Sequence, residues 1–343
     1  MSDSSASRRR FLAGMAALGA GTFIPGCAST GDGAGRQARR IDVHHHIVSP
    51  GYSAALKARG QGHIAWSVQR SLEDMDKSGI ATSVTSLIQP AVWFGDVPLG
   101  RKLAREANEY AAQLGRDHPG RFGTFATIPY PDTEGSLREI EFSLTTLKVD
   151  GFCLMTSYGG KYLGDPAFWP VLEELNRRKA VVYTHPLTPQ CCAGIVPGVG
   201  DAIIEYAVDT TRTMASLVFT GAAARYPDIR WIFSHSGGVT PFLVSRFQFQ
   251  ERTMKDREQK LPQGVMAELA KFHYDTAQGN HAGALAALLK IAPVSQLLYG
   301  TDFPFRGGAE VNAGLAAFGF SETELVAIER GNALKMMPQL PAR

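Results

Sequence analysis

The residues of this chain best suited to chemistry are polar groups that end apolar runs. Ile41-Asp42-Val43-His44-His45-His46-Ile47-Val48 reads as a β-strand finishing in histidines. Side chains alternate faces along a strand, so His44 and His46 point together and His45 points the other way, toward whatever covers the sheet. Two imidazoles on one face make half a metal site, and histidine-rich patches also arise on solvated surfaces, so the pair needs partners. Three later runs supply them: Val181-Val182-Tyr183-Thr184-His185-Pro186, Trp231-Ile232-Phe233-Ser234-His235-Ser236-Gly237-Gly238 and Leu297-Leu298-Tyr299-Gly300-Thr301-Asp302-Phe303-Pro304. Each stops at one ligand-type residue and then meets Pro or Gly, as a buried parallel strand does where it opens into a loop. Neutral imidazoles at His44, His46 and His185 with the Asp302 carboxylate offer three nitrogens and one oxygen. That set suits Zn²⁺, with Mn²⁺ or Co²⁺ as alternatives, and leaves a position open for water or substrate. His235 is then an acid/base group beside the metal, holding a proton from metal-bound water or from Asp302.

These strand ends must be brought together by the elements between them. A capping box at Ser71-Leu72-Glu73-Asp74 starts a helix. A strand over 80–87, a helix over 99–114, a strand over 122–128 and a helix from Thr133 follow. The strand over 151–155 leads through Tyr158-Gly159-Gly160-Lys161-Tyr162 to Asp165-Pro166, a cap followed by proline at the first helical position, and that helix feeds the His185 strand. Helices over 203–223, 241–255 and 282–291 separate the His235 strand, Phe272-His273-Tyr274-Asp275 and the Asp302 strand. Eight strand-helix units in unbroken alternation predict an α/β fold of the (β/α)8 TIM-barrel type. In that architecture strands one, five, six and eight open at one mouth, and four separate motifs become one site.

With 44% hydrophobic and 20% charged content, the 343-residue chain is that of an ordinary globular protein, and one large domain over residues 39–340 accounts for it. Residues 1–38 read as a targeting segment and linker: Ser7-Arg8-Arg9-Arg10-Phe11-Leu12 precedes a short Ala/Gly-rich run that ends at Ile24-Pro25-Gly26-Cys27. This resembles a twin-arginine export signal, which implies a periplasmic location, and the last four residues resemble a lipoprotein cleavage site that would anchor Cys27 to the membrane. Removing residues 1–26 lowers the net charge from +3 to +1, and no basic cluster interleaved with aromatics appears in the body, which excludes nucleic acid as the partner. Cys153, Cys191 and Cys192 show no CxxC spacing; the adjacent pair is expected to be unpaired.

Over residues 40–335 the chain resembles the amidohydrolase superfamily, in the branch of metal-dependent nonoxidative decarboxylases that includes aminocarboxymuconate-semialdehyde decarboxylase. Ile41-Asp42-Val43-His44-His45-His46, Tyr158 through Pro166, Asp209-Thr210-Thr211-Arg212-Thr213, His235-Ser236-Gly237-Gly238 and Gly300-Thr301-Asp302-Phe303-Pro304 look most like the 6-methylsalicylate decarboxylase group. The resemblance implies that His44, His46, His185 and Asp302 hold the metal and that His235 and Asp302 are catalytic. It also implies a homodimer in which Arg246 reaches into the neighbouring site to hold a carboxylate; an exposed helix arginine is the alternative reading. Arg212 is a second candidate for the carboxylate of a small-molecule acid, or else a structural ion-pair partner. Trp93, Phe94 and Tyr158 could wall a flat substrate or be ordinary loop packing. The reaction implied is loss of CO2 from a hydroxybenzoate-like acid. The rivals are a metal-dependent hydrolase opening a lactone or amide, and a binding lipoprotein on an inactive barrel.

Overall fold

The computed structural model describes residues 39–62 and 64–340, and Ala38–Arg343 form one compact unit. The segment read as an export signal, Cys27 included, lies outside the described residues, as does His63. Eight parallel strands pair in sequence order: β1 (Arg40–Ile47), β2 (Ile80–Leu87), β3 (Phe122–Thr127), β4 (Gly151–Met155), β5 (Val181–His185), β6 (Arg230–Phe233), β7 (His273–Asp275) and β8 (Leu297–Leu298). The sheet closes on itself where the chain leaving β8 returns to β1: Val43 N donates to Tyr299 O (3.0 Å), Asp302 N to His44 O (2.8 Å) and His46 N to Phe303 O (2.8 Å). The strands are buried on both faces, between the barrel interior and the surrounding helices, and their near-continuous apolar composition follows from that. A two-stranded ribbon, Ser157–Tyr158 with Lys161–Tyr162, interrupts the β4 crossover. Among the described residues no helix is long and apolar enough to cross a membrane.

Three local expectations change. A short helix, Pro50–Lys57, follows β1, and the helix that leads into β2 is Val68–Ser78, capped by Ser67, whose hydroxyl accepts from Arg70 N at 3.2 Å; Ser71 lies inside it. Either serine could cap, and burial decides between them: Ser71 is fully buried and 3.0 Å from His45 Nε2. The long helix before β6 stops at Phe219, because Gly221 turns left-handed at φ +82° and opens a separate turn at Ala222–Arg225. Cys191 and Cys192, expected as free thiols, are joined in a vicinal disulfide; the short 3₁₀ turn Gln190–Cys192 brings the sulfurs of adjacent residues together. Cys153 is free, and burial pushes its thiol up to about 12.

Candidate active site

The alternation along β1 holds. His44 and His46 enter the barrel mouth, while His45 turns outward, stacks on Phe303 with ring centroids 4.6 Å apart and bonds Asp42 and Ser71. The β1–β2 pairing slips between Asp42 and His45, an irregularity of the sort that re-aims side chains beside a site. Asp42 then fixes the opposite wall: its carboxylate accepts from His44 N (3.0 Å), Thr301 N (3.0 Å) and the Thr301 hydroxyl (2.6 Å). Asp302, next in the chain, is thereby held with a left-handed φ of +68°.

The four residues expected to bind metal converge. One donor atom from each of His44, His46, His185 and Asp302 lies within 4.8 Å of the others, and all four residues are buried. His44 Nε2 and His46 Nε2 are 3.2 Å apart, and Asp302 Oδ1 is 3.2 Å and 3.1 Å from them. The far sides of two imidazoles are committed. His44 Nδ1 meets Asp275 Oδ2 at 2.8 Å, and His185 Nδ1 meets Pro186 O at 2.8 Å, so each donates there and turns its Nε2 to the centre. Burial, then the neighbouring imidazoles, keeps His185 well below its usual pKa; burial likewise lowers His46 to about 4, so both stand as neutral ligands. Burial works against a charged His44 too, yet Asp275 and Asp302 together raise it to about 10. Burial opposes the ionised Asp302, but His44, His235 and His46 hold it well below the carboxylate range. An ionised carboxylate facing a proton held among crowded imidazoles is what a divalent cation would replace, and the donor set fits one.

His235 is the fifth group. It is outside the ligand cluster, with Nε2 3.4 Å from Asp302 Oδ2 and a buried Nδ1 without a partner. Its turn is tight. His235 and Ser236 sit at φ +52° and +56°, and a Cβ on Gly238 would come within 2.0 Å of Ala207 O, so that position requires glycine. Asp275 Oδ1 accepts from His235 N at 2.9 Å while its Oδ2 holds His44, so one buried carboxylate locks a ligand and the acid/base turn together. Asp275→Asn should weaken metal binding about 10- to 100-fold. Competition against a chromophoric chelator measures it, and unchanged affinity would remove Asp275 from the supporting shell.

Beside His235 opens a cavity of about 250 Å³ walled by Tyr206, Phe242, Ser236, Gln278 and His281. Phe305, 55% exposed, stands 6.0 Å from the His46 ring at the same mouth. This cavity is not walled by Trp93, Phe94 or Tyr158. Tyr158 is buried against Tyr130 and Phe168 with its hydroxyl taking Met155 N (2.8 Å); Phe94 lies under the Arg59 guanidinium, 4.0 Å from its centroid; Trp93 packs half-buried on the core. Arg212 faces the Cys192 sulfur (3.7 Å) and acts on Asp209, whose carboxylate also takes Tyr162 OH (2.8 Å), Leu187 N (3.2 Å) and the Thr156 hydroxyl. Arg246 is exposed on the helix Thr240–Thr253, on the same face as Phe242 and Phe249. Sequence reasoning missed Asp275, Tyr206, Phe242, Gln278 and Phe305. Only Asp275 carried a signal, as the polar residue ending the seventh strand.

A closed (β/α)8 barrel with a His3Asp cluster at its mouth and a histidine beside it defines a class of metal-dependent barrel enzyme. The chain belongs to the amidohydrolase family, whose model matches residues 41–338. It is similar to decarboxylase yanB of Aspergillus niger (35% identical, 88% of this chain and 89% of the relative) and to 6-methylsalicylic acid decarboxylase acuB of Aspergillus aculeatus (33%, 88% and 96%). The crystal structure of an amidohydrolase II superposes with a TM-score of 0.79 at 25% identity, over 87% of this chain and 99% of that one.

Proposed function

We propose that this chain is a metal-dependent, nonoxidative decarboxylase of a hydroxybenzoate-like acid of the 6-methylsalicylate type. The observation that carries it is that both curated relatives named above are decarboxylases matched across nearly their whole length. The division of labour at Asp302 supplies the chemistry: Oδ1 faces the ligand nitrogens and Oδ2 faces His235 and the cavity. When bound, a divalent ion, for which zinc fits the three-nitrogen, one-oxygen set, would neutralise and orient the carboxylate and an adjacent oxygen of the substrate. The protein does the rest. Tyr206, Phe242 and Phe305 offer apolar faces for the ring. A proton held between His235 Nε2 and Asp302 Oδ2 passes to the ring carbon that bears the carboxylate. The bond from that carbon to the carboxyl group then breaks, its electron pair returns to the ring, and CO2 departs. In heavy water the product should carry one deuterium at that carbon, read by mass spectrometry and NMR; product without it would contradict proton delivery to the ring.

The same reading includes a homodimer and export. Phe242 and Phe249, 69% and 61% exposed with Arg246 between them, support a partner surface on which Arg246 serves the neighbouring site. Light scattering of the loaded enzyme tests it, and a monomer would end it. Arg8-Arg9-Arg10-Phe11-Leu12 supports twin-arginine export, with Cys27 as a lipid attachment point. Replacing Arg8, Arg9 and Arg10 by lysine should leave the protein in the cytoplasmic fraction.

A further inference from the structure

Asp302 Oδ2 has a second neighbour besides His235: the side-chain amide of Gln278, whose Nε2 donates to it. Gln278 stands three residues past β7 with a left-handed φ of +53°, as His235, Ser236 and Asp302 do. Non-glycine residues keep that conformation where their surroundings impose it. Here the surroundings are visible. Ala277 N donates to Asp275 Oδ1 at 3.0 Å, Ser236 Oγ to Asp275 O at 3.1 Å, and a Cβ on Gly279 would fall 2.0 Å from Ser236 Oγ. The loop is thus clamped between the buried carboxylate of β7 and the His235 turn, and it delivers the amide to the cavity.

An ionised carboxylate accepts only, so the amide must present its NH2 to Asp302 and turn its carbonyl away. Oε1 then has no hydrogen-bond partner among the described residues, and Gln278 lines the cavity. We propose that Gln278 is a specificity-determining residue: it holds Asp302 Oδ2 through Nε2–H and accepts through Oε1 a hydrogen bond from a hydroxyl next to the substrate's carboxylate. This deepens the decarboxylase reading and rests on it for the class of acid. It selects 2-hydroxylated aromatic acids over acids lacking that donor, because without the hydroxyl the carbonyl is left facing an apolar ring.

The test is binding of 2-hydroxybenzoate and of benzoate to the metal-loaded full-length protein, measured by calorimetry for wild type, Gln278→Leu and Gln278→Asn. Asparagine tolerates the left-handed backbone and keeps the amide one methylene short of the contact, so it reports even where the leucine variant fails to fold. Both variants should bind 2-hydroxybenzoate about 3- to 10-fold more weakly relative to benzoate, whose affinity reports what loss of the Asp302 contact alone costs. Equal losses for both acids, or no loss for either, would overturn the assignment. Release of CO2 is followed on the same wild-type sample. Failure to decarboxylate any acid with the binding pattern intact would sink the reaction and leave Gln278's role standing.

Discussion

Replacing His235 by alanine should lower kcat by about 100- to 10,000-fold, the range expected for a positioned acid/base group, while the metal stays bound. The separation of effects follows from where the ring sits. Its Nε2 reaches Asp302 Oδ2 at 3.4 Å, and the ligand atoms belong to His44, His46, His185 and Asp302. The turn around it is held by backbone, through His235 N to Asp275 Oδ1, so truncating the ring leaves the cluster in place. Turnover and metal stoichiometry on one preparation check this. An active variant would remove the acid/base role, and loss of metal would make His235 a ligand instead.

His185→Ala should do the opposite, with metal content and activity falling together. Its Nε2 is one of four donors, and no other described group near the end of β5 replaces it, since Thr184 donates to Ile232 O and points away. Removing even a supporting partner of a metal ligand costs about 10- to 100-fold in affinity, so removing the ligand itself should exceed 100-fold. Excess zinc should restore part of the activity of this variant and none of that of His235→Ala. Metal analysis after gel filtration distinguishes them, and wild-type metal content in His185→Ala would refute the four-residue site.

Those two residues were legible in the sequence for a physical reason: a buried parallel strand is a run of apolar residues, and the first polar residue at its end is where the barrel opens. The same logic marks His44, His46 and Asp302, and the two-residue period along β1 separates His45 from its neighbours in the sequence itself. The partners of these groups were not legible. Asp275 ends a strand as visibly as Asp302 does, but that it holds His44, 231 residues away, and the His235 turn depends on barrel closure. Gln278, Tyr206, Phe242 and Phe305 come from loops and helix ends, where no period marks a side chain as facing the mouth. The aromatic residues taken instead, Trp93, Phe94 and Tyr158, illustrate the same limit: Tyr158 belongs to the packing of the ribbon after β4 and Phe94 to a cation–π pair. Adjacent cysteines give no framework to read, and Ser67 and Ser71 offer identical capping chemistry until Ser71 is seen buried against His45.

In the proposed function, a metal held by His44, His46, His185 and Asp302 makes this chain release CO2 from a 2-hydroxylated aromatic acid. Its most direct test is release of labelled CO2 from carboxyl-labelled 6-methylsalicylate by the purified protein as isolated, after chelation, and after zinc is returned. Release that chelation abolishes and zinc restores is the predicted result. Release indifferent to chelation, or hydrolysis of a lactone or amide with no CO2 from any acid tested, would contradict it.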